Sequence, residues 1–178
     1  MRTSLVLTII GTDRPGIVET ISDQVLAARA NWEESRMARL AGKFAGVLRV
    51  SVDAERANRL ADDLRALASG DLTVIVERGN EVDVKGFRAL AIDIVGLDRR
   101  GIVRDISRVL AQRGVNIDEL ETEVTGAAMS GEPTFRARAR VRLPDGTSVD
   151  DVRAALEAMA DNLMVDLELE ERDSLTHP

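Results

Sequence analysis

The sequence predicts an α+β fold in which one β-α-β-β-α-β unit occurs twice in tandem. Three observations carry this. Gly11-Thr12-Asp13-Arg14-Pro15-Gly16-Ile17-Val18 returns as Gly96-Leu97-Asp98-Arg99-Arg100-Gly101-Ile102-Val103, at an offset of 85 residues. Held at that offset from Gly11 to Met37, 10 of 27 positions are identical without a gap, including Ile21/Ile106, Ser22/Ser107, Asn31/Asn116 and Glu34/Glu119. A repeated module therefore organises the chain. Each repeat also places apolar residues at period two before its glycine bend and at helical spacing after it.

The elements follow in order. Leu5, Leu7 and Ile9 alternate as a strand, with Leu90, Ile92 and Ile94 at the matching positions. After the bend, Ile17, Val18, Ile21 and Val25, or Ile102, Val103, Ile106 and Leu110, form the apolar stripe of a helix. Pro15 suits the first turn of its helix, where a missing N–H costs nothing. Arg29-Ala30-Asn31 and Gly114-Val115-Asn116 lead into a second strand. Phe44, Gly46, Leu48, Val50 and Val52 alternate as a third, matched by 135–143. Leu60, Ala61, Leu64, Leu67 and Ala68 make a second helix that stops at Gly70, matched by Val149, Val152, Leu156 and Met159. Leu72, Val74 and Val76, and then 163–169, close each unit as a fourth strand. The order is ferredoxin-like. It divides the chain into a first module over 1–79, a linker over 80–86, a second module over 87–172 and a tail over 173–178.

Composition narrows the function. At 44% hydrophobic and 31% charged, the chain is globular rather than disordered. Its 24 Lys+Arg against 31 Asp+Glu give a formal charge of -7, which disfavours direct binding to a phosphate backbone. Cysteine is absent, which removes thiolate nucleophiles and thiolate metal sites. The one histidine, His177, lies in the tail. With no Tyr and only Trp32, Phe44, Phe87 and Phe135, base-stacking platforms are not expected either. No nucleophile elbow, zinc-protease, phosphate-loop or dinucleotide motif occurs, and the acidic pairs Asp62-Asp63 and Asp150-Asp151 point apart on their helices. The expectation is a non-enzymatic protein with no catalytic residues, no cofactor and no metal. The Leu5–Ile10 apolar run is too short to span a membrane and no targeting segment follows, so the expected compartment is the cytoplasm.

A strand, then Gly-Xaa-Asp-Arg-Xaa-Gly-Ile-Val, an amphipathic helix and an Asn opening the next strand together resemble an ACT domain. The resemblance covers roughly residues 3–171. It implies two ACT-type modules that bind a small ligand, usually an amino acid, and regulate something else. Two such modules in tandem are similar to the glycine cleavage system transcriptional repressor family. That likeness implies glycine as ligand and a DNA-binding activator, a transcription factor, as protein partner. Phosphoserine phosphatases and formyltetrahydrofolate hydrolases carry similar modules beside catalytic domains, so a regulatory portion of such an enzyme is one alternative. An assembly module that binds no ligand is another. Module size suggests a homodimer.

The bends have a chemistry of their own. Each ends on a helix N-terminus, where free N–H groups and the helix dipole favour an anion. Gly16 and Gly101 would let a ligand approach the backbone. Asp13 and Asp98 could accept an ammonium or cap the helix; Arg14 and Arg99 could pair with a carboxylate or stay solvated. Asn31 and Asn116 offer donor and acceptor to a zwitterion, or serve as turn residues. Ile17, Val18, Ile102 and Val103 read as core that a pocket wall could share, and Pro15 stiffens the first bend where Arg100 leaves the second looser. In ACT domains the site often lies between modules, so the resemblance implies that the bend of one copy meets the Asn strand of another.

Arg136, Arg138, Arg140 and Arg142 share one face of a strand, opposite Phe135, Ala137, Ala139, Val141 and Leu143. Glu119, Glu121 and Glu123 alternate on the strand before it. A hairpin would set glutamates against arginines, as a surface ion-pair ladder or a partner-facing sheet. The hairpin turn is tight in the first module (Leu40 to Lys43) and long in the second (Thr125 to Pro133).

Overall fold

The computed structural model describes residues 1–79, 86–126, 133–159 and 164–169, with no side-chain description for 165–169. Most of the expected linker and of the long hairpin turn, and the tail, fall outside the described residues. The chain divides into two compact units, Met1–Val82 and Asp83–Pro178.

The first unit runs β1 (Arg2–Thr12), α1 (Ile17–Ala27), β2 (Asn31–Leu40), β3 (Lys43–Asp53), α2 (Ala54–Arg65) and β4 (Thr73–Arg78). Its antiparallel sheet has the order β2-β3-β1-β4. The second unit repeats it with β5 (Phe87–Leu97), α3 (Ile102–Ala111), β6 (Asn116–Gly126), β7 (Pro133–Pro144), α4 (Val149–Glu157) and β8 (Met164–Leu169), in the order β6-β7-β5-β8. Both units are thus βαββαβ, as the repeat predicts.

Alternation explains each core. Leu5, Leu7 and Ile9 on β1, Leu48, Val50 and Val52 on β3, and Val74 and Val76 on β4 point to one face. There they pack with Ile17, Ile21 and Val25 of α1 and Ala57, Leu60, Ala61 and Leu64 of α2. Leu90, Ile92, Ile94, Ile102, Ile106, Leu110, Val141, Leu143, Val152 and Leu156 do the same in the second unit. Each such side chain contributes about 1.5–3 kcal/mol of burial. Among the described residues, the helices of each unit pack on this one face of its sheet.

Several local expectations are corrected. Val18 and Val103 are not core: they are 43% and 40% exposed, while Ile17 and Ile102 are buried. Neighbouring helical residues diverge by about 100 degrees, so the stripe Ile17, Ile21, Val25 leaves Val18 facing outward. Pro15 lies before the helix rather than in its first turn, because Gly16 is the N-cap. Asp13 and Asp98 do not cap either helix, since Gly16 and Gly101 hold that position without a side-chain cap. The second helix ends at Arg65, ahead of Gly70.

The tight hairpin is confirmed: Ala41 and Gly42, both at positive φ (49° and 79°), form its turn. Both sheets carry a bulge at the same place, between Trp32/Glu34 and between Ile117/Glu119. The acidic residue set out of register reaches the neighbouring strand in each case. Ser51 donates to Glu33, and Arg142 Nε donates to Asp118 at 2.8 Å. Pairing of an acid at the same step of both modules pins the bulge.

Candidate functional site

The β1–α1 and β5–α3 bends share one backbone design. Gly16 and Gly101 sit at φ 90° and 85°, in the left-handed region, and open the helices. Only glycine takes that conformation without strain. Their carbonyls accept the first helical bonds, from Thr20 N at 2.9 Å and Asp105 N at 3.0 Å. Neither N-cap has a side-chain acceptor, so first-turn N–H groups lack that partner, although at the second bend Ile102 N–H donates to Arg99 O at 3.3 Å. Space permits an approach: a Cβ on Gly101 would meet nothing within 4 Å, and one on Gly16 would meet only Glu19 Oε2 at 3.8 Å. Val18 and Val103, exposed beside them, supply an apolar surface at matching places.

The side chains differ between bends in a reciprocal way. In the first, Arg39 Nε lies 2.6 Å from Asp13 Oδ2, so the aspartate is engaged. Arg14 is exposed and makes no ion pair among the described residues. In the second, Arg99 turns onto its own helix and holds Asp105 at 2.7 Å, which pulls the Asp105 carboxyl below its ordinary pKa. Asp98 is exposed there, with its backbone N–H donating to Pro133 O at 2.8 Å. Among the described residues, the first bend therefore presents an unpaired guanidinium and the second an unpaired carboxylate. Thr12, at the mouth of the first bend, donates its N–H to Asp71 at 3.1 Å, and hydrogen bonding from Thr12 lowers the Asp71 pKa.

Asn31 and Asn116 do not join the bend of their own module. Asn31 is level with Ser51 and Ser4, whereas the bend follows Thr12. Eight strand steps of about 3.3 Å put them about 26 Å apart. Asn116 is also engaged locally, donating to Asp118 at 2.7 Å. Within one module the site residues thus form two groups at opposite ends of the sheet.

The arginine stripe has the expected hairpin register: Glu119, Glu121 and Glu123 lie opposite Arg140, Arg138 and Arg136. The ladder is built differently than the alternation suggested. Arg140 pairs with Glu119 at 3.9 Å, Arg142 with Asp118, and Arg136 and Arg138 both turn to Asp93 on β5. Asp93 escaped the sequence reading because it is a lone acid in an apolar strand. The hydrogen bond from Arg136 is the main cause that holds its carboxyl below the ordinary range. A lowered native pKa gives stability that is present above the unfolded value, about 3.9, and is lost as pH falls through the native one. Asp93→Asn is therefore expected to flatten the loss of thermal stability below about pH 4. Melting curves from pH 6 to 2 check this; parallel wild-type and variant profiles would contradict it.

Among the described residues no helix is long and apolar enough to cross a membrane. No group of three or more potential metal-ligating side chains occurs among them either.

Comparison with known proteins places this geometry. ACT domain family profiles match residues 3–77 and 91–161. A crystal structure of a protein of unknown function from Galdieria sulphuraria is 33% identical, with a TM-score of 0.85 over 96% of this chain and 100% of that one. The structure of a candidate glycine cleavage system transcriptional repressor is 21% identical, with a TM-score of 0.69 over 97% of this chain and 99% of that one. No curated protein sequence matches significantly.

Proposed function

The chain belongs to the ACT domain family, and from that premise we propose that it is an amino-acid-binding regulatory protein acting through contact with another protein. ACT domains are regulatory modules. One observation carries the ligand reading: both modules open their first helix on a left-handed glycine with no side-chain cap. Such a terminus receives a carboxylate on backbone N–H groups with the helix dipole behind it. Arg14 at one bend adds a cation for the same carboxylate, and Asp98 at the other adds an acceptor for the ammonium. Asn31 and Asn116 lie at the far end of the sheet from the bend of their own module, so neither contributes to that bend.

The likeness to the candidate repressor supports a finer version of the reading. In it the ligand is glycine, the partner is a DNA-binding transcription factor in the cytoplasm, and the working form is a homodimer. The protein itself performs no catalysis. Ligand binding would shift the arrangement of modules only as far as it favours one arrangement over another.

Calorimetric titration of the full chain with the twenty common amino acids tests this. Binding of at least one is expected, weakened at least tenfold by Gly16→Ala together with Gly101→Ala. The strain of a Cβ at positive φ is also expected to cost about 1–2 kcal/mol per site in urea unfolding. Heat signals that are identical in wild type and double variant would remove the bends from the site.

A second reading, assembly without a ligand, draws on exposed Ile10, Val47 and Ile75 (48%, 47% and 50%) on the open face of the first sheet. Silence of a folded sample towards every amino acid, with concentration-dependent association, would favour it.

A further inference from the structure

The open face of the second sheet holds a charged depression that the bends do not use. Equivalent register places differ between the modules. Where β1 and β3 set Thr8 beside Val47, β5 and β7 set Asp93 beside Arg138. Where β2 sets Arg36 beside Val47, β6 sets Glu121 beside Arg138. The first module presents Thr8, Val47 and an Arg36 paired with Glu34 here, and the second an ordered set of charges.

That set has a definite polarity. Arg136 takes both oxygens of Asp93, Nε on Oδ1 at 3.1 Å and Nη2 on Oδ2 at 2.5 Å, and so neutralises it. Arg138 Nε then lies 3.6 Å from Asp93 Oδ2, too far for a sound hydrogen bond. Arg140 stands 3.9 Å from Glu119. Over these side chains lies a cavity of about 390 Å³ lined by Ala91, Asp93, Glu119, Glu121, Arg138 and Arg140. That volume is in the range of small-molecule sites, about 300–1,000 Å³. Ala91, opposite Arg140, keeps the floor low.

We propose that this face binds a small zwitterion, with its carboxylate on Arg138 and Arg140 and its ammonium on Glu119 and Glu121. The cationic column on β7 and the anionic column on β6 are one strand spacing apart, about 4.8 Å, which suits the short charge separation of an α-amino acid. With Asp93 neutralised, two cations face two carboxylates. A neutral dipolar ligand satisfies both columns, whereas a dicarboxylate meets the glutamates and a diamine meets the arginines. Guanidinium groups bind a planar carboxylate with two parallel bonds, which orients the ligand. The surface ion pairs that it displaces are worth about 0.2–1 kcal/mol each, so they do not block it.

The proposal stands apart from the bend reading, and one experiment separates the two. The full chain is titrated by calorimetry with the twenty common amino acids, succinate and putrescine, as wild type, Arg138→Gln, Glu121→Gln and the double bend variant. Arg138 is 54% exposed, so its replacement is expected to leave the fold intact, with far-UV circular dichroism as the check. The expected result is an amino acid whose affinity falls at least tenfold in both Arg138→Gln and Glu121→Gln and survives the bend variant. Binding lost only in the bend variant overturns this site and keeps the other. Succinate or putrescine binding more tightly than every amino acid overturns the zwitterion assignment, and silence of all probes overturns the proposal.

Discussion

Truncating Leu7 to alanine is expected to lower stability by about 2–5 kcal/mol, the range for a large cavity in a core that cannot collapse. Leu7 is fully buried at the centre of β1, with Leu48 of β3 and Val76 of β4 beside it in register. The packed helices above it contribute Ile21 and Leu64, also fully buried. Ile92 occupies the same step of β5 and sits in the core of the second unit, so Ile92→Ala is expected to fall in the same range. Leu26, 76% exposed on α1, is the control and should change stability by less than about 0.5 kcal/mol. Urea unfolding of the three variants measures this. A Leu7→Ala midpoint as close to wild type as that of Leu26→Ala would contradict the core assignment.

The second large effect is expected from Gly46→Ala. A Cβ at this place in β3 would stand 2.6 Å from Met37 Cγ and 2.9 Å from the Arg36 carbonyl oxygen. The methionine side chain can swing away; the carbonyl belongs to β2 and moves only with its strand. Overpacking of this kind costs about 1–3 kcal/mol. The displacement should also reach the first bend, because Arg39 on β2 holds Asp13. The expected result is a lowered urea midpoint with loss of amide-exchange protection along β2. Full retention of both would show that β2 yields without cost.

The fold was legible because it is written twice. Period two in Leu5, Leu7 and Ile9 and the glycine bend at Gly11 to Gly16 each recur 85 residues later, and the observed βαββαβ order follows from them. Periodicity marked Val18 and Val103 as apolar but did not decide which of two adjacent apolar residues faces inward; the stripe from Ile17 to Val25 does. Aspartate is a common N-cap, but a glycine at positive φ took that place at both bends. Asp93 and the bulge acids Glu33 and Asp118 were missed because their partners lie on other strands, a relation that depends on register. A weak signal for the last two existed, since each stands two residues after the repeated Asn. The arginine stripe was legible as a face, and its opposition to the glutamates held. The turn of two arginines toward β5 needed the strand order β6-β7-β5.

In the proposed function, the two glycine-started helix N-termini receive the carboxylate of an amino acid. Backbone amide resonances of the full chain, recorded by ¹H–¹⁵N correlation during titration with glycine and then with the other common amino acids, test it most directly. The largest saturable shifts are expected on Gly16, Ile17 and Val18 or on Gly101, Ile102 and Val103. Saturable shifts that leave all six amides unmoved, or no saturable shift with any amino acid, would contradict it.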